Sequence, residues 1–244
     1  MFPPRPRRLL RRALSTQYSC TECPNVSVIL NTLQSKLLAL IVLGGVAVSA
    51  KPAQFSTTSD VYGRVIQTLG GHVVNASAYP NTVVGFQKYL SDTGISVVSA
   101  AELTRPNHPQ VAARLGFESF LPQQAWWPRG AALALLAQNI ETQIGSPVYL
   151  RNWWRPAAYN SDPAVAGARD GDHPTACAID LDYKSASDRA RAEQFLRALN
   201  ARCPWMQMSL GIGAQTTHIG IASPKGHREW HYASLASAPA GLRS

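Results

Sequence analysis

Residues Cys177 to Tyr183 alternate between two faces, with Cys177, Ile179, Leu181 and Tyr183 on one and Ala178, Asp180 and Asp182 on the other. That period of two is the pattern of a half-buried strand, and it points Asp180 away from the core. His173 stands just before Pro174. The proline ring disfavours helix at the preceding residue, so the histidine belongs to a loop that can fold back beside the strand. A histidine and a carboxylate are thereby brought within reach of one point.

Downstream, Thr216 to Ser223 and His227 to Ala233 flank Ser223-Pro224-Lys225-Gly226, a turn with Pro second and Gly fourth as in type I turns. Read as a hairpin in which Ala222 pairs with His227, the register sets Gly220 opposite Glu229 and His218 opposite His231. Ile219, Ile221, Trp230 and Tyr232 then face the core, while His218, Glu229 and His231 line the other side and Gly220 leaves room above them. Singly, each residue has a bland reading, since Asp180 could sit on the solvated face of an edge strand and a lone histidine is commonly a surface residue. Together they supply what a catalytic zinc ion needs, three protein ligands and a fourth position for water, and that points to hydrolysis.

Three helices are predicted, over Asn81 to Asp92, Gly130 to Ile144 and Ser187 to Asn200. The second carries Leu133, Leu136, Ile140 and Ile144 on one stripe and stops at Gly145. A strand from Pro147 to Trp153 follows and delivers Arg155. Trp126 and Trp127 read as core or loop-closing residues before a groove-lining role. Asp162 to Gly171, rich in Pro, Ala and Gly, forms a flap before His173. The fold class is α+β, a small antiparallel sheet carrying the zinc site and flanked by helices.

Residues 1–50 read as a leader and 51–244 as one domain, a length that buries a core unaided. Leu37 to Val48 is an apolar run after Lys36 that ends in Val48-Ser49-Ala50, the form of a secretory signal with cleavage after Ala50. It is shorter than the roughly 20 apolar residues of a comfortable membrane span, so no stable span is expected after cleavage. Arg5, Arg7, Arg8, Arg11, Arg12 and Lys36 against Glu22 place +5 of the formal +9 in this leader, leaving +4 for the domain. That mild basicity suits an anionic cell wall, and the sequence shows no nucleic-acid module. Cys20 and Cys23 lack the second pair that a zinc or redox motif needs. Cys177 and Cys203 either form a disulfide or leave a buried thiol at 177.

The segment Gly171-Asp172-His173-Pro174-Thr175-Ala176-Cys177-Ala178-Ile179-Asp180 resembles the Ser-x-His-x-x-Gly-x-Ala-x-Asp pattern of the zinc D-alanyl-D-alanine carboxypeptidases. That family includes vancomycin-resistance dipeptidases and phage endolysins and shares the hedgehog signalling-domain fold. His173 and Asp180 match as metal ligands and Ala178 as a packing residue, whereas Gly171 replaces Ser and Ala176 replaces Gly. Trp153 to Asn160 resembles the family's Gly-Tyr-Arg-Ser-x-x-Tyr-Asn segment, which implies a substrate site of Arg155, Trp154 and Tyr159, with Arg155 gripping a carboxylate or a developing oxyanion.

Two family variants compete for the third ligand. His218-Ile219-Gly220 after Gly211-Ile212-Gly213 resembles a His-x-Asp strand in which Gly220 replaces Asp. Glu229-Trp230-His231 resembles a Glu-x-Trp-His run that is one residue short. His218 is favoured, with His231 the alternative, and Glu229 or His231 then serves as general base and acid. The resemblance implies Zn²⁺, peptidoglycan stem peptides as substrate and a periplasmic or secreted location. The competing expectation is a catalytically silent zinc-binding or peptidoglycan-binding protein of the same fold.

Overall fold

The computed structural model describes residues 58–168 and 170–232. The leader, its signal-like run, Cys20, Cys23 and the expected domain boundary at residue 50 lie outside them. The described residues build seven α-helices and one five-stranded mixed sheet, an α+β arrangement. No helix among them is long and apolar enough to cross a membrane.

The chain opens with α1 (Thr58–Thr68) and α2 (Val83–Thr93). Thr82 caps α2 by accepting from the Gly85 amide, and Gly94 ends it in the left-handed region at φ 99°. Two short helices follow, α3 (Ala100–Leu103) and α4 (Pro109–Arg114). The central helix is α5 (Trp127–Ile144), ended by left-handed Gly145 at φ 65°. Its apolar stripe is wider than predicted: Ala131 to Ala137 are all buried, because α1, α2 and α7 pack around it while β1 and β2 lie beneath. Trp127 is core, its ring centroid 4.8 Å from that of Phe86.

Strand β1 (Val148–Asn152) leads to α6 (Ala157–Asn160), the His173 loop and β2 (Ala178–Tyr183). Next come α7 (Ala186–Arg202), β3 (Ser209–Ile212), β4 (Thr216–Gly220) and β5 (Arg228–His231). The sheet order is β1-β2-β4-β3-β5. Helices α5 and α7 cover one face, which buries Ile179, Leu181, Leu210, Ile212 and Ile219. Asp180, His218, Gly211 and Trp230 stand in register on the other face.

That register corrects the expected hairpin and the all-antiparallel sheet. The Ser223–Gly226 turn forms, with the Gly226 amide donating to the Ser223 carbonyl at 2.9 Å, yet the strands on either side of it do not pair. Strand β3 lies between them, antiparallel to β4 and parallel to β5. The chain leaves the sheet after Gly220. Ala222 takes a positive φ of 50° and donates its amide to Met206, which carries the backbone outward before the turn closes. A close turn fixes the reversal of a chain and leaves open which strand lies beside which.

Candidate metal centre

His173, Asp180 and His218 meet on the open face of the sheet, all three buried. Strand β2 carries Asp180 and β4 carries His218 directly opposite it. His173 arrives from a single 3₁₀ turn over His173–Thr175, and the left-handed Ala176 at φ 58° returns the chain to β2. Two indoles brace that loop. Trp153 Nε1 donates to the Ala176 carbonyl at 3.0 Å and Trp154 Nε1 to the Pro174 carbonyl at 3.2 Å.

One atom of each residue converges. His173 Nε2 lies 3.1 Å from Asp180 Oδ1 and 3.1 Å from His218 Nδ1, and the third side of the triangle is 3.0 Å. These three atoms lie close enough for one cation to be held by all of them at once. The far side of each imidazole is already committed. His173 Nδ1 sits 2.6 Å from the Trp153 carbonyl oxygen, an acceptor only, so that nitrogen carries the proton and Nε2 presents a lone pair. His218 Nε2 faces the Asp172 carboxylate at 3.3 Å, which leaves Nδ1 as its lone-pair atom. In that tautomer three lone pairs face one another, a conflict that a metal cation or a proton on His218 Nδ1 resolves.

The electrostatics agree. Burial lowers the basicity of His173 against the opposing pull of Asp180. Burial also works against a charged His218, but hydrogen bonds to Asp172 and Asp180 overturn it and raise its pKa, so a proton is drawn to the place a metal would occupy. Burial pushes Asp180 upward, yet His173 and His218 hold it well below the usual carboxylate range. These groups can hold a metal ion.

Arg155 donates from Nη2 to Asp180 Oδ2 at 2.9 Å, which turns Oδ1 toward the cluster. It also lines two cavities, of about 680 and 480 Å³, the first reaching Asp180 and the second His173 and His218, and Tyr232 lines both. Tyr232 is half exposed, and partial desolvation of its phenol, then Asp180, push it up to about 12, so it keeps its proton as a donor.

Other expected site residues stand elsewhere. Glu229 is in register with Leu210 and Ile219 on the helix-covered face, where Arg197 holds it at 2.7 Å. His231 pairs with Ile212 on that same face. Neither joins the cluster, because β5 runs parallel to β3 and so brings Trp230 to the site, its ring 5.3 Å from that of His218. Tyr159 is fully buried, accepts from the His108 amide at 2.8 Å and packs on Phe120, so it braces the site from behind. Trp154 is partly buried against the same small cluster. Cys177 is a buried free thiol and is not joined to Cys203.

Sequence reasoning missed Asp172. Its carboxylate accepts from Ser209 Oγ at 2.7 Å, Ser223 Oγ at 2.8 Å and Arg228 Nη2 at 2.9 Å besides facing His218. Burial raises its pKa, but His218, Ser209 and Ser223 outweigh burial and hold it well below the usual range. The only signal was its place beside His173 in Asp170-Gly171-Asp172-His173.

Compared with known proteins, the chain matches no family model, no curated protein and no solved structure.

Proposed function

We propose that this protein is a zinc-dependent peptidase that hydrolyses peptide bonds of peptidoglycan stems or cross-bridges, akin in fold and chemistry to the D-alanyl-D-alanine carboxypeptidases and exported to the wall it acts on. The observation that carries the reading is the triad of buried lone pairs within 3.1 Å of one another. Each imidazole in it is pinned from behind. Two imidazoles and one carboxylate with an open fourth side are a donor set that suits catalytic zinc.

A bound zinc ion would lower the pKa of a water toward 7 and polarise the scissile carbonyl. The remaining work falls to side chains. Arg155 orients Asp180 through Oδ2 and, at the junction of the two cavities, faces the negative charge that grows on the carbonyl oxygen. Tyr232 Oη holds its proton and adds a second donor there. The two cavities that share Arg155, one reaching Asp180 and the other His173 and His218, leave room for peptide on both sides of the scissile bond.

One observation favours the non-catalytic alternative, a zinc-binding or peptidoglycan-binding protein. Among the described residues that line the two cavities, Asp172 and Asp180 are the only carboxylates, and both are already engaged. A general base in reach of an attacking water is therefore not evident from Glu229. The deciding experiment measures metal content and incubates the full chain with stem pentapeptide and cross-linked dimers, with and without chelator, reading products by mass. Chelator-sensitive loss of alanine or splitting of dimers supports the peptidase. Bound zinc without cleavage supports the alternative, and iron in place of zinc, which the same ligand set also accommodates, overturns both.

A further inference from the structure

Three metal-binding side chains account for the triad but not for the carboxylate behind it. The side chain of Asp172 is 1% exposed. Removing a carboxylate from water costs several kcal/mol unless it is paired and fully hydrogen-bonded. Its partners come from four separate places: Ser209 on β3, His218 on β4, Ser223 in the following turn and Arg228 on β5. Two hydroxyls and a guanidinium would already satisfy the charge, yet the carboxylate also faces the one nitrogen of His218 that points away from the triad.

Gly220 shows that the arrangement occupies reserved space. A Cβ built there would stand 2.9 Å from Asp172 Oδ2 and would collide with Ser209 Oγ. A side chain at 220 would therefore displace the Ser209 hydroxyl and press on the Asp172 carboxylate. The two imidazoles are also unequal, because His173 is backed by the neutral Trp153 carbonyl and His218 by an anion.

We infer that Asp172 is the positioning residue of the metal centre: it holds the Nε2 proton of His218, commits Nδ1 to the ion, and depends on the bare backbone at Gly220 for its place. An anionic acceptor behind an imidazole fixes its tautomer and makes its free nitrogen a better donor to metal, and loss of such a partner costs about 10- to 100-fold in metal affinity. The inference rests on the metal reading of the triad and is independent of peptidase activity.

The test uses the full chain as wild type, Asp172→Asn, Gly220→Ala and Asp92→Asn. Zinc affinity is measured by competition with a chromophoric chelator, the His218 tautomer by ¹⁵N spectra of metal-free protein, and folding by circular dichroism. Asp172→Asn is expected to fold, to bind zinc about 10- to 100-fold more weakly and to lose the single Nε2-protonated tautomer. Gly220→Ala, which keeps every ligand and Asp172 itself, is expected to weaken binding in the same direction. Asp92→Asn, which makes the same change to an exposed carboxylate on α2 that pairs with Lys88, is expected to retain affinity and tautomer.

Folded Asp172→Asn with wild-type affinity and tautomer overturns the inference, and so does wild-type affinity in Gly220→Ala should Asp172→Asn not fold. Wild-type protein that takes up no zinc refutes the metal reading before any variant is compared. Zinc shifts as expected without peptide hydrolysis by the wild type refute only the peptidase.

Discussion

The two faces of the sheet are made by the same strands and hold together by opposite means. On the helix side Ile179, Leu181, Leu210 and Ile219 are packed against α5 and α7, where burial alone is favourable and no directional partner is needed. On the open side Asp172, His173, Asp180 and His218 are just as buried. Burial is costly there unless each group is met by a partner, and the chain supplies partners from segments scattered between Trp153 and Arg228. A face that must satisfy polar groups has one workable geometry, whereas an apolar face tolerates several.

That contrast can be broken most severely at the triad. His173→Ala and Asp180→Ala are each expected to abolish zinc retention after dialysis, read by metal analysis, and hydrolysis with it. Zinc-loaded, fully active His173→Ala would sink the site assignment. Acid reaches the same end reversibly. Protons compete with metal for the ligands, so zinc should leave as pH falls through and below the imidazole range, and a zinc content independent of pH would contradict histidine ligation.

Tyr232→Phe sharpens the functional side of the comparison. It should lower kcat about 10²-fold with zinc content and Tm preserved, and an unchanged kcat removes the phenol from the mechanism. On the helix face Ile219→Ala should cost about 2–5 kcal/mol of stability, seen as a lower denaturation midpoint, while the folded fraction binds zinc as before. The smallest effect is expected for Glu229→Ala. Its ion pair with Arg197 is partly exposed, so the loss is about 0.2–1 kcal/mol with rate intact. A rate collapse would return Glu229 to the site.

Much of this was legible in the chain before its fold was known. Alternation from Cys177 to Tyr183 placed Asp180 correctly, Gly145 marked the end of α5, and the pairing of two histidines with one carboxylate pointed to a metal. What escaped had physical reasons. Strand β3 is four residues long and contains Gly211, too short for a periodic signal, and without it β4 and β5 look like neighbours. Gly211 itself is small so that Trp230 can cross it, since a Cβ there would stand 2.5 Å from the indole. The role of Asp172 depends on partners 37 to 56 residues downstream, and no local pattern carries such information.

The same long reach sets an order of assembly. Asp172 has been synthesised well before Ser209, His218, Ser223 and Arg228 exist, so its carboxylate stays hydrated until nearly the last strand has docked. The helices around α5 can gather early, as neighbours in sequence do. The ion-binding pocket cannot. A chain interrupted before Arg228 lacks part of the scaffold behind His218, so the group that could hold a metal ion is backed only once β5 is in place.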